Sequence, residues 1–264
     1  MDNKLIYIYC LTEALPILKH DLKVEELDLM QIGGFYVIVK RVSAEEFSEN
    51  NLRKKLDDLD WVERNARHHM TVITHIMEEH SVIPFQFGTL FKTENSLNQF
   101  IEKHSSSLSH NLLKIDKKEE WAVKIYCDKK QLSKKISEFS KNVRSIEKQI
   151  LESSPGRAFL LKRKKVELTK QEVNKLISLN GQQCFNAFKN ICTDEYANNI
   201  LPREITKRND DMILNVSFLI CKNDVSDFVT MVSQHQHKYK SVHFSFEVTG
   251  PWPPFHFITI DKHG

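Results

Sequence analysis

The sequence predicts an α+β protein of two domains, and three observations carry that reading. The chain has 264 residues, more than one domain commonly holds. Short runs with the period of two of a strand alternate with longer segments at the three-to-four spacing of a helix. Apolar residues make up 41% of the chain, enough for a buried core.

The elements follow in order. Residues 5–10, rich in Ile and Tyr, read as a strand, and residues 35–42 as another. Gly33-Gly34 supplies the positive φ of a tight hairpin, so residues 27–31 are expected to pair with 35–39. Ser43 and Glu46 fit a capping box and predict a short helix. Asp60, with Glu63 three residues on, is the expected cap of a stronger helix. Its face carries Val62, Ala66, His69, Ile73 and Met77, and it stops before Pro84. Residues 97–113 form another amphipathic stretch with a Ser-rich middle at residues 105–107.

A second unit begins near Glu119. Trp121, Val123, Ile125 and Cys127 alternate as in a half-buried strand. Leu132, Ile136, Phe139, Val143, Ile146 and Ile150 then predict one helix, broken by Ser153-Ser154-Pro155-Gly156. A further helix is expected from Thr169, capped with Glu172, its inner face carrying Val173, Ile177, Cys184, Phe188 and Ile191. Asn180-Gly181 is a candidate kink. Strand (Leu214 to Ile220), helix (Val225 to Val232) and strand (Val242 to Val248) complete a pattern like half of a ferredoxin-like sandwich with a long helical insertion.

Composition excludes several functions. Thirty-eight basic against 35 acidic side chains leave +3, too little for a protein that lives on phosphate contacts, so no nucleic-acid partner is expected. Five scattered Cys without a C-x-x-C pair point to neither a disulfide framework nor a zinc knuckle. No stretch approaches about 20 apolar residues. The chain therefore reads as reduced, cytoplasmic and soluble, with no lipid-membrane partner.

Catalytic equipment is sparse. His68, His75 and Glu79 could converge on one helical face, which makes a metal-dependent enzyme the alternative reading. H-E-x-x-H is missing, however, and His69 shares its face with apolar residues, where a core histidine bonded to a carbonyl is the ordinary outcome. There is no G-x-S-x-G and no phosphate-cradling glycine loop. The basic run Lys162-Arg163-Lys164-Lys165 reads as a solvated segment beside long helices. The expected class is a protein-binding protein, not an enzyme, with no cofactor and no metal.

Two segments exceed what core packing requires. Pro84, Phe85, Phe87, Gly88, Thr89 and Phe91 stand in a dense apolar run with Pro and Gly inside it. Pro251, Trp252, Pro253, Pro254 and Phe255 form a stiff tail in which three prolines remove backbone donors. Such stretches pack their rings on their own protein or present them to a partner. On the residues alone the two outcomes stand even; with the resemblance that the same segments carry, both are expected partner-binding sites.

The same segments carry a family resemblance. Trp61, Ala66, His69 and Val72 precede Val82, Pro84, Phe85, Phe87, Gly88, Thr89 and Phe91. Then follow Glu120-Trp121-x-Val123-Lys124, Gly156-Arg157-Ala158-Phe159-Leu160 and Leu214-Asn215-x-x-Phe218-Leu219. Gly250-Pro251-Trp252-Pro253-Pro254-Phe255 comes last. This ordered set resembles the GvpL/GvpF family of gas vesicle proteins across nearly the whole chain. Gln86 and Phe255 depart from it, since the family often has Arg and Tyr there. The resemblance implies an N-terminal α+β domain at 1–116, a modified ferredoxin-like domain at 117–249, and a tail at 250–264 packing back on the protein. It also implies a gas vesicle-associated minor structural component or chaperone-like assembly factor. Its expected partners are the main shell protein and other accessory proteins.

Overall fold

The computed structural model describes residues 4–16, 27–45, 47, 51, 55 and 57–260. They form an α+β protein that divides into two compact units, residues 1–120 with 251–264, and residues 121–250.

In the first unit, β1 (Lys4–Thr12) pairs antiparallel with β3 (Phe35–Ser43), and β3 with β2 (Leu27–Ile32). Gly33 (φ +54) and Gly34 (φ +89) close the β2–β3 hairpin with the two positive φ angles of a tight turn. The other edge of β1 carries two short strands, β4 (Ile83–Pro84) and β5 (Leu90–Phe91), so the path reads β2-β3-β1-β4 with β5 also on β1. Two helices, α1 (Leu59–Met77) and α2 (Glu94–Ile115), complete the unit. Val72, Ile73 and Ile76 of α1 pack with Tyr7, Tyr9, Cys10 and Ile38 of the sheet.

The α1 cap is Asp58, whose side chain accepts from the N–H groups of Asp60 and Trp61; the expected cap, Asp60, lies inside the first turn. Helix α2 runs unbroken through Ser105 to Ser107, with its buried face (Leu97, Ile101, Leu108, Leu112, Ile115) at helical spacing on both sides of them. Thr93 and Ser96 close its capping box. The short helix expected from Ser43 with Glu46 lies largely outside the described residues.

The second unit holds a sheet of order β7-β8-β6-β9. Its elements are β6 (Lys118–Cys127), α3 (Lys129–Phe139), α4 (Lys141–Leu151), α5 (Pro155–Lys189) and β7 (Asp194–Ala197). They continue with α6 (Arg203–Thr206), β8 (Asp211–Cys221), α7 (Val225–Lys238) and β9 (Phe244–Trp252). Val123, Ile125, Val216, Phe218 and Phe244 of the sheet share a core with Leu132, Val173, Cys184, Phe188, Phe228 and Val232 of the helices.

Here three expectations need correction. The single helix spanning Leu132 to Ile150 is two, because Ser140 sits in an extended conformation (φ −110°, ψ 118°) and caps α4 by accepting from the Val143 N–H. The break expected at Ser153-Ser154-Pro155-Gly156 is present, since α4 ends at Leu151, but Pro155 already begins α5, where its missing N–H leaves no donor orphaned. Thr169 therefore caps nothing: it lies mid-helix, and Glu172 accepts hydrogen bonds from Ser140 and Asn142 instead. Gly181 is buried without interrupting α5. The edge strand β7 had no signal in the sequence reading; it pairs antiparallel with β8.

Candidate functional site

Residues 82–91 run along the free edge of β1. Cys10 pairs with Pro84 and Leu11 with Ile83, and the Phe85 N–H donates to the Tyr9 carbonyl at 2.9 Å. Proline is tolerated because this is the sheet's edge. The backbone then leaves the strand in a turn, where the Thr89 N–H and Oγ1 donate to the Gln86 carbonyl at 3.1 and 2.7 Å. Gly88 has φ +84, which L side chains rarely adopt, and this explains a glycine here. Pairing resumes with Leu90 opposite Tyr7 and Phe91 opposite Ile6.

His69 holds this excursion from behind. It is 1% exposed, and both ring nitrogens are engaged. Nε2 is 2.9 Å from the Phe85 carbonyl, which can only accept, so Nε2 carries the proton. Nδ1 then accepts the Tyr7 hydroxyl at 2.8 Å, and the Tyr7 oxygen accepts the Gly88 N–H at 3.3 Å. Burial lowers the His69 pKa, opposed by the Phe85 bond, and burial pushes the Tyr7 phenol up to about 12. The ring is therefore a neutral clamp, the core histidine that its apolar face suggested.

The tail reaches the same unit. Strand β9 continues through Pro251 and Trp252, both exposed; Pro253, Pro254 and Phe257 are buried. The backbone does not stay extended: it turns at residues 255–257, with the Phe257 N–H donating to the Pro254 carbonyl at 3.2 Å. His256 pairs with the buried Glu120 carboxylate through its ring and also donates its backbone N–H to it at 3.3 Å. That carboxylate raises the His256 pKa, chiefly by hydrogen bonding. Further on, Asn111 of α2 clasps Thr259, accepting its N–H at 3.2 Å and donating to its carbonyl at 2.9 Å.

The two segments meet in one groove of about 670 Å³. Pro84, Phe85, Gln86, Thr89 and Phe91 form one wall and Phe255, Ile258, Thr259 and Ile260 another, with Phe100 of α2 between them. Phe100 lies 6.1 Å from Phe85 and 5.4 Å from Phe91 between ring centroids. Five of the sequence-predicted residues thus come together: Pro84, Phe85, Thr89, Phe91 and Phe255. Phe87 goes elsewhere, to an aromatic pocket of about 310 Å³ with Tyr7, Tyr9, Phe47, Trp61 and His68. Gly88 acts through its backbone, and residues 251–254 do not line the groove. Phe100, Ile258 and Ile260 were missed; Phe100 had the helical periodicity of residues 97–113 as its only signal.

The alternative metal cluster does not assemble. Among the described residues no three His, Cys, Asp or Glu side chains come together to hold an ion. His68 Nε2 lies 3.2 Å from the Tyr9 hydroxyl, and His75 Nδ1 lies 3.8 Å from Glu78. All five cysteines are free; burial pushes Cys127 and Cys184 up to about 12, Cys192 to about 11 and Cys10 higher still, so these four thiols stay protonated at neutral pH. Among the described residues no helix is long and apolar enough to cross a membrane.

Comparison with known proteins decides the family. A family model described as "Gas vesicle synthesis protein GvpL/GvpF" matches residues 5–259. The chain belongs to this family. Gas vesicle protein L of Streptomyces sp. (strain CB03234) is 22% identical over 262 residues, covering 98% of this chain and 94% of that protein. The crystal structure of GvpF from Anabaena sp. PCC7120 superposes with a TM-score of 0.70 at 17% identity, covering 98% of this chain and 99% of that one. GvpF from Microcystis aeruginosa gives 0.64 at 16% identity, with 97% and 99% covered. These two GvpF structures thus share its α+β fold.

Proposed function

We propose that this GvpL/GvpF-family chain is a minor structural component or assembly factor that binds the main gas vesicle shell protein, and other accessory proteins, through the groove. One observation carries the reading. Two segments more than 160 residues apart, 84–91 and 255–260, line the same apolar groove, and the sequence had marked the first, with Phe255 of the second, as exceeding core needs. A shell subunit must be apolar on its gas-facing side, so before assembly it exposes surface that aggregates unless covered. An apolar groove on a water-facing carrier suits that cargo.

The role needs no catalysis, and a cytoplasmic, vesicle-associated location follows from it. The domain division 1–116, 117–249 and tail 250–264 is part of the proposal, supported by the nearby unit limits at 120/121 and 250/251. A ferredoxin-like second domain is supported by the strand order β7-β8-β6-β9, and a tail that packs back by the Asn111–Thr259 clasp.

The test is co-purification with the main shell subunit. Phe91→Asp and Ile258→Asp alter part-exposed groove walls. Folded variants that lose the subunit while the wild type retains it support the reading. Retention by both variants at the wild-type level refutes it.

A further inference from the structure

Lys40 stands where a cation is not expected. It lies within β3, directly opposite Tyr7 of β1 and Leu27 of β2, and residues opposite one another in a sheet share a face. Two positions away on either side, Ile38 and Val42 are on that face too, and both belong with Tyr7 to the core that α1 covers. Lysine is seldom set among such neighbours without a carboxylate. Among the described residues no carboxylate pairs with Lys40, whereas the next residue, Arg41, is held by Asp28 at 3.0 Å and by Glu94.

Lys40 lines the aromatic cavity of about 310 Å³. Tyr7, Phe47, Trp61 and Phe87 line it as well, and their rings form a closed circuit. Centroids are 6.3 Å apart from Tyr7 to Phe47, 6.2 Å from Phe47 to Trp61, 6.2 Å from Trp61 to Phe87 and 6.4 Å from Phe87 back to Tyr7. Two polar side chains of the lining are already engaged. His68 Nε2 lies 3.2 Å from the Tyr9 hydroxyl, and Asn65 Nδ2 donates to the Trp61 carbonyl at 2.8 Å. A second ammonium reaches the same rings: Lys55 Nζ is 5.5 Å from the Phe47 centroid and 5.1 Å from that of Trp61.

We propose that this cavity binds a small aromatic anion, one or two flat rings carrying a carboxylate or phosphate, with the rings against the aromatic walls and the anion on Lys40. Each part of the lining rules out a simpler ligand. A cation would meet Lys40 and Lys55, and the charge of Arg41 is already answered by Asp28 and Glu94. A neutral ring would leave the Lys40 ammonium without a counter-charge, and an anion without rings would forgo the stacking that four aromatic walls offer. The volume sits at the small end of the roughly 300–1,000 Å³ that ligand sites span, which fits a molecule of one or two rings. The inference is independent of the groove and its cargo.

Isothermal titration calorimetry on the full chain tests it with four probes. Naphthoate and naphthyl phosphate carry rings and charge, naphthol carries rings alone, and inorganic phosphate charge alone. At least one naphthyl anion is expected to bind about tenfold or more tightly than naphthol or inorganic phosphate, and the tighter of the two names the anion. Lys40→Met keeps an apolar stem and removes the charge, so it should cost that anion about tenfold while leaving naphthol unchanged. Lys40→Arg should recover most of the loss, and Trp61→Ala should weaken naphthol and anion alike. Amide shifts on binding should centre on Tyr7, Lys40 and Trp61, not on Phe91 and Phe100 of the groove.

No binding by either naphthyl anion overturns the proposal, as does naphthol or inorganic phosphate binding as tightly as they do. A folded Lys40→Met chain that holds the anion at the wild-type level overturns it too, and so do shifts centred on the groove. The comparison of probes on the wild type decides the matter even where a variant does not fold.

Discussion

Replacing His69 with leucine removes the clamp behind the groove while keeping an apolar side chain in the core. Two groups then lose their partners: the Phe85 carbonyl its donor at 2.9 Å, and the Tyr7 hydroxyl its acceptor at 2.8 Å. A buried polar group without a partner costs about 1–3 kcal/mol, so the pair should cost about 2–6 kcal/mol. That is a large share of the roughly 5–15 kcal/mol that holds a domain folded. The two units need not unfold together, so a single denaturation midpoint would blur the effect. Native-state hydrogen exchange at β1 and at the Phe85 and Gly88 amides reads the first unit directly. Tyr7→Phe, alone and combined with His69→Leu, completes a cycle. The coupling should reach about 0.5–3 kcal/mol, since the second change removes a hydroxyl that the first has already stranded. A loss below about 0.5 kcal/mol for His69→Leu, or strict additivity in the cycle, would refute the clamp.

Three further outcomes follow from the same contacts. The folded-state pKa of His69 lies below 6.5, so stability present above pH 6.5 should be lost as pH falls toward that lowered value; pH-dependent unfolding checks this, and His69→Leu should flatten the slope. His256 has the opposite sign: its pKa is raised, so its contribution is complete below 6.5 and lost as pH rises through the folded value. An NMR titration of its ring should show Glu120→Gln lowering the midpoint. Asn111→Ala should cost about 1–3 kcal/mol and speed exchange at the Thr259 amide, because one side chain serves both its N–H and its carbonyl.

What the sequence disclosed is local. Gly33-Gly34 announces the hairpin because only glycine takes two successive positive φ angles easily, and Val72, Ile73 and Ile76 extend the α1 face already visible through His69. The Ser140 break was hidden because a single non-helical residue hardly disturbs the apolar spacing from Phe139 to Val143. The break before Pro155 was legible, but the start of α5 there was missed because proline both follows helices and begins them, and its role depends on what comes next. The groove was half legible. Pro84, Phe85 and Phe255 stood out by composition, but nothing local to Phe100 or Ile258 could say that they face those residues across more than 150 positions of chain. The Asn111–Thr259 clasp, 148 residues apart, has no sequence signature at all.

That the first unit is built from residues 1–120 together with 251–264 has a consequence during synthesis. Its sheet and α2 leave the ribosome long before Phe255, Phe257 and Thr259 are made. At 5–20 residues per second, translating the 130 residues between takes roughly 10 s, far longer than a helix or hairpin needs to form. Through that interval Asn111 and the wall of Phe85, Phe91 and Phe100 have no tail beside them. Until then the wall is more exposed than in the finished unit, and any early binder of it must yield it to residues 255–260.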